Sequence, residues 1–236
     1  VLLVQPILQG KQVSRYFGEL AAIKDLDFNI CAREIFGIAG PNGAGKSTLF
    51  NVITNIPYPP TSGEILFEGK KITALAPYRI CQMGIARTFQ VPAFFPALTV
   101  LENVMIGAYY GKPYKITSTL RHSENLRDES IEHLGYMELL EKRDMISANL
   151  SLFDKKRLMM ASALVTKPRV LLLDEPMSGL NAVEIKQIMD LIERINRERG
   201  ITILLIEHIM KALVGVSMRI MILDHGGKIC EGTPEE

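Results

Sequence analysis

The 236-residue chain has no excess of either charge: Lys and Arg number 27 against 26 Asp and Glu. Without a basic surplus there is no electrostatic case for nucleic acid or an anionic membrane surface as a partner. Cysteine is scarce. Cys31, Cys81 and Cys230 are far apart, odd in number and without metal-ligand spacing. That pattern disfavours a disulfide scaffold or a zinc module and suits a reduced, cytosolic setting. No apolar run approaches the ~20 residues of a membrane-spanning helix. The longest, Val170 to Leu173 and Ile201 to Ile206, have strand length. Signal-peptide pattern, internal repeat and low-complexity linker are all missing from the sequence. The chain opens on Val1 rather than Met, which suggests a trimmed N-terminus.

What is present is apolar: 47% of residues are hydrophobic, enough for a sizeable core in one large domain or a main domain with a subdomain. "EIFGIAG" (Glu34 to Gly40), "RVLLLDE" (Arg169 to Glu175) and "ITILLIEH" (Ile201 to His208) are continuously apolar. Such runs suit parallel strands covered on both faces. Between the last two, Asn181 with Glu184 three residues on reads as a helix start, and Gly200 as its stop. Ile188, Leu191, Ile192 and Ile195 fall on one face, so strand, helix and strand form a βαβ unit. "LDFNI" and "EILFEG" are shorter and suit an antiparallel layer. From Leu98 to Thr166 the strand signal disappears. "LTVLENVMIGAYYG", "SENLRDESIEHLGYMELLEKR" and a segment from Ser151 read as helices.

Gly40 to Ser47 fits G-x-x-x-x-G-K-[ST], preceded by a strand and followed by the helical "LFNVI". Glycines let the backbone close round an anion, and the N–H groups of the loop and helix start point at phosphates. Lys46 would then bridge β- and γ-phosphates, and the Ser47 hydroxyl would ligate Mg²⁺. A parallel α/β sheet binds ligands at the carboxyl ends of its strands. Asp174 and Glu175 end one apolar strand and His208 another. Asp174 is placed to hold Mg²⁺ directly or through water, Glu175 to polarise an attacking water, and His208 to hydrogen-bond a γ-phosphate oxygen.

The order of these motifs resembles the nucleotide-binding subunit of an ATP-binding cassette (ABC) transporter, over essentially the whole chain. The resemblance implies an α/β P-loop NTPase with a mainly parallel core sheet, a small antiparallel β layer and an inserted α-helical subdomain. Residues 1–90 and 168–236 would form the core and about 91–167 the subdomain. It implies that ATP lies on Gly40, Asn42, Gly43, Ala44, Gly45, Lys46, Ser47 and Thr48, with an aromatic of "RYFGELAAI" stacked on adenine. Phe17 fits best and Tyr16 is the runner-up; a core role for either is the plain alternative. Gln90 in "GIARTFQ" matches the glutamine that contacts the metal and the attacking water. "SGLN" (Ser178 to Asn181) matches a loop that meets a second subunit, and His208 matches the switch histidine. The implied partners are membrane permease subunits and a second ATPase subunit, identical or related, at the cytoplasmic face of the membrane. The ATPase would not touch the transported solute. "LLIEHIMKAL" and "GTPEE" are similar to ATPases of branched-chain and other hydrophobic amino acid importers; those of urea and amide importers are close. An exporter, a non-transport cassette ATPase and a non-hydrolysing regulator are the competing readings.

One segment departs from the family pattern. Where LSGGQ is expected, the chain reads "LSLFDKKRL" from Leu150 to Leu158. Leu150 and Ser151 remain; Leu152, Phe153 and Asp154 replace Gly, Gly and Gln. Ser151 is expected to face the γ-phosphate held by the opposite subunit. An aspartate ~6 Å from a phosphate charge would repel it by roughly 3 kcal/mol at an effective dielectric of ~20. Lys155, Lys156 and Arg157 are available to offset part of that.

Overall fold

The computed structural model describes residues 6–111 and 119–236, with 119–124 described by backbone alone; Val1 lies outside them. In chain order the elements are β1 (Leu8–Phe17), β2 (Leu20–Ile30), β3 (Ile35–Ala39), α1 (Lys46–Thr54), β4 (Ser62–Phe67), β5 (Lys70–Lys71), α2 (Pro77–Met83) and β6 (Ile85–Arg87). Then follow α3 (Val100–Tyr110), α4 (Thr119–Tyr136), α5 (Leu152–Leu164), β7 (Val170–Asp174), α6 (Ala182–Arg199), β8 (Thr202–Ile206), α7 (Met210–Val216), β9 (Arg219–Asp224) and β10 (Gly227–Gly232).

A six-stranded sheet has the order β10-β9-β3-β8-β7-β6. Every neighbouring pair in it is parallel except the β9–β10 hairpin. The continuously apolar runs are its central strands, and the pleat explains their composition. Val170, Leu172, Leu204 and Ile206 face one core; Leu171, Leu173, Ile203 and Leu205 face the other. Alternate side chains go to opposite faces, and both faces are covered, so the interiors of β7 and β8 are apolar throughout; their polar residues, Asp174 and Thr202, stand at strand ends. One core also takes Leu49, Phe50 and Ile53 of α1 and residues of the second sheet. That sheet is four-stranded and antiparallel, in the order β2-β1-β4-β5, and contains both predicted short strands. The other core is filled by α3, α5 and α6 through Val104, Leu158, Met160, Ile188 and Ile192.

α6 starts as its sequence dictates. The Asn181 side chain accepts from the N–H groups of Val183 and Glu184, and Glu184 accepts from Asn181 N–H. The helix ends at Gly200 with φ 63°. The segment from Ser123 to Arg143, expected as one helix, is instead divided. α4 stops at Tyr136, Glu138 takes a left-handed φ of 56°, and Leu140–Lys142 forms a separate 3-10 turn. Leu139 N–H returns to the Leu134 carbonyl, which closes the helix end.

Candidate functional site

The register of the parallel strands sets the site. Asp174 pairs with Ile206 and Ile38 pairs with Ile206, so β7, β8 and β3 end at one level. The glycine loop leaves the end of β3, the Asp174-Glu175 pair closes β7, and Glu207 and His208 follow β8. β6 ends alongside at Arg87, which puts Gln90 on the same rim.

The loop feeds α1 without a side-chain cap. Gly45 occupies the N-cap with φ 100°, and a Cβ there would meet the Ala22 carbonyl. α3, α5 and α6 begin under Thr, Ser or Asn side-chain caps, whereas α1, like the shorter α2 and α7, has none. Uncapped N–H groups with the dipole behind them attract an anion. Asn42, Gly43 and Ser47 are exposed there, Thr48 is half-buried, and Ala44 turns into the core. The Lys46 ammonium is buried and donates to the Gly40 and Pro41 carbonyls, each at 2.8 Å. Burial lowers its pKa, against the opposing fields of Glu175 and Asp174.

Around Glu175 the predicted residues converge. Gln90 Nε2 donates to Glu175 Oε2 at 2.6 Å, and His208 Nε2 stands 2.8 Å from Oε1. The Glu175 backbone sits at φ 48°, with its N–H on the Ile206 carbonyl. Asp174 lies beside it in a buried pair with Arg87 at 2.9 Å. Burial raises the Asp174 pKa, with Arg87 pulling it back. Its Oδ1 is buried without a hydrogen-bond partner.

Three contributors escaped the sequence reading. Arg87 bonds both Asp174 and the Asn51 side chain, from a strand of three residues that gave no periodic signal. Glu207 is buried and accepts from Met177 N–H at 2.7 Å and His208 N–H at 3.2 Å, tying the loops after β7 and β8 together. Burial raises its pKa. Lys142 is the third. It and Arg157 both lie 2.5 Å from the Asp154 carboxylate, which is itself buried. Burial works to raise the Asp154 pKa, but hydrogen bonds from Lys142, Arg157 and Ser151 outweigh it and leave it lowered. The aspartate is therefore turned inward and neutralised. The expected repulsion of a facing phosphate is much reduced, because the two cations sit closer to Asp154 than any such phosphate would. Of the three cations expected to offset it, only Arg157 does so. Phe153 also packs inward, under the Arg157 guanidinium.

Ser151 caps α5 by accepting from Asp154 N–H and shares no hydrogen bond with the Glu175 group among the described residues. Leu152 leans on the SGLN loop: a Cβ on Gly179, whose φ is 78°, would come within 2.9 Å of it. Phe17 is 39% exposed and meets Tyr58 edge-on, with the Arg15 guanidinium over both rings. Tyr58 reaches Asn51, and Asn51 reaches Arg87, so a relay of contacts joins the aromatic pair to Asp174. Tyr16 is comparably exposed at 37%.

Comparison with known proteins places this arrangement. The family model described as ABC transporter matches residues 23–178. The high-affinity branched-chain amino acid transport ATP-binding protein LivG of Escherichia coli (strain K12) is 36% identical over 239 residues, covering 98% of this chain and 93% of that protein. A nucleotide-free ATP-binding cassette from an ABC transporter superposes with a TM-score of 0.86 at 29% identity, over 96% of this chain and 91% of the other. The dimeric cassette MJ0796, solved in a post-hydrolysis state bound to ADP and Pi, gives 0.84 at 28% identity, over 96% and 98%. With a family model spanning more than half its length and a relative this similar over nearly all of it, the chain belongs to the ABC transporter family, as an ATP-binding cassette.

Proposed function

We propose that this chain hydrolyses ATP to drive an importer of branched-chain or other hydrophobic amino acids. The carrying observation is Glu175, held at the carboxyl end of a parallel strand with one carboxylate oxygen on Gln90 and the other facing His208. The importer class follows the similarity to LivG.

In this reading the glycine loop from Gly40 through Asn42, Gly43, Ala44 and Gly45, with the uncapped start of α1 to Thr48, cradles the phosphates. Lys46 exchanges its loop carbonyls for β- and γ-phosphate oxygens. Phe17 takes the adenine face, with Tyr58 and Arg15 stiffening it. Each Glu175 oxygen keeps a further lone pair for a water, which the carboxylate orients and polarises. His208 hydrogen-bonds a γ-phosphate oxygen, and Gln90 would contact the metal and the attacking water. Ser151, at the start of α5, meets the nucleotide of the opposite subunit.

The residues present fit Mg²⁺. Among the described residues no group of three or more His, Cys, Asp or Glu could hold a metal alone. Mg²⁺ is characteristically held by one or two protein oxygens plus phosphates, and Asp174 Oδ1 is buried and unpartnered. Asp174, Ser47 and Gln90 would hold it, and it would neutralise charge on the β- and γ-phosphates.

No described helix is long and apolar enough to cross a membrane, so membrane subunits would supply the passage. A groove of about 250 Å³ between α2, β6 and α5 is the proposed seat for them, lined by Ile56, Pro77, Cys81, Phe89, Ala93 and Met159. Phe95, 56% exposed, offers itself to such a partner, whereas Phe94 packs against the core. Phosphate release from purified protein tests the enzymatic reading. Wild-type chain turns over ATP, more slowly alone than beside a cassette with an intact signature; in that pairing Glu175→Gln loses at least about a hundredfold in rate yet still binds ATP. Equal rates for the two would refute the assignment.

A further inference from the structure

Lys156 lies on the first turns of α5 and is 2% exposed. Its ammonium donates to the Glu175 carbonyl at 2.8 Å and reaches the Gln90 carbonyl at 3.5 Å. Packing of α5 does not need a cation there, since Leu158, Met160 and Leu164 already seat the helix in the core. Burying an ammonium is unfavourable unless it is paired and hydrogen-bonded. Here the compensation comes from the site itself: two main-chain carbonyls and the fields of Glu207, Glu175 and Asp174.

The Glu175 peptide is thereby held from both sides. β8 takes its N–H through the Ile206 carbonyl, and α5 takes its carbonyl through Lys156. With φ at 48°, this residue sits in a region that non-glycine residues rarely adopt, and such geometry persists only where surroundings over-determine it. The same ammonium also reaches the segment carrying Gln90, the second group on the carboxylate.

We propose that Lys156 is a positioning residue for ATP hydrolysis. It fastens the main chain of Glu175 and Gln90 to the helix that begins at Ser151, so the carboxylate is aimed only when α5 is seated. A single ammonium thus makes the water-orienting group of one nucleotide site sensitive to the helix that serves the opposite site. The proposal rests on the ATPase reading above.

Single-turnover hydrolysis by the full chain, alongside ATP affinity, tests it. Lys156→Met lowers the rate about tenfold or more while shifting ATP affinity less than about twofold, the pattern of a misplaced group rather than a lost binding contact. Lys156→Arg keeps a charged donor and stays within about threefold of wild type. Should Lys156→Met fail to fold by circular dichroism, Lys156→Gln serves instead: its amide is shorter and neutral, and the expected loss is again about tenfold. A wild-type rate in the Met or Gln variant, or an Arg variant as slow as Met, overturns the proposal. A wild-type chain that binds no ATP overturns the ATPase reading as well, which separates the two failures.

Discussion

At the scale of single residues, the pocket is a balance of buried charges. Asp174 is matched by Arg87, and Asp154 by Lys142 with Arg157. Each pairing decides which way a carboxylate points, and Asp154 illustrates the consequence. Its folded-state pKa is depressed, so its ion pairs stabilise the protein above the ordinary aspartate value of about 3.9. That contribution is lost as pH falls through the lower native value. Urea unfolding as a function of pH should therefore show wild type more stable than Asp154→Asn near neutrality, with the gap closing between about pH 5 and pH 2. A gap independent of pH would mean that the carboxylate charge plays no part.

At the scale of elements, the signature helix raises the sharpest question. Leu152 and Phe153 stand where the family has glycines, but they behave differently: Phe153 is folded inward, while Leu152 is 41% exposed and leans on the SGLN loop. Our hypothesis is that the obstacle to an opposite nucleotide is Leu152 rather than charge, and that the chain works with a related subunit carrying an intact signature. Restoring Gly at 152 and 153 with Asp154→Gln should raise the turnover of this chain alone; no gain in phosphate release would count against pairing with a different subunit. The elements most legible in sequence were those written by one rule. β7 and β8 are apolar because both their faces are covered, and α6 carries its own cap, stripe and stop. β6 spans three residues, β1 is interrupted by register shifts, and β10 is an exposed edge with no apolar face to announce it. α2 does carry Pro77 in its first turn and Gly84 at its end, signals too short to stand alone. In the site, residues on motif positions were legible. Arg87, Glu207 and Lys142 were not, because each acts on the site through a partner outside its own local pattern, such as Asp174, Met177 or Asp154.

At the scale of the whole molecule, the proposed organisation is a core built on the six-stranded sheet with a helical subdomain of α3, α4 and α5 beside it. The groove where α2 and β6 meet α5 lies along their junction. A membrane partner seated there would feel any movement of α5 relative to the sheet. Phe95→Asp should release the chain from detergent-solubilised permease complexes and leave ATP affinity within about twofold, since Phe95 is not among the phosphate-loop residues. Retention of the complex would place the contact elsewhere. Everything above depends on the rim formed by β3, β6, β7 and β8 taking up a magnesium triphosphate. Calorimetric titration of the purified chain with ATP and Mg²⁺ tests that most directly. The account predicts saturable uptake by wild type, weakened at least about tenfold in Lys46→Ala, which removes a charge-assisted donor from the phosphates. No heat of binding in wild type, or the same affinity in both proteins, would contradict it.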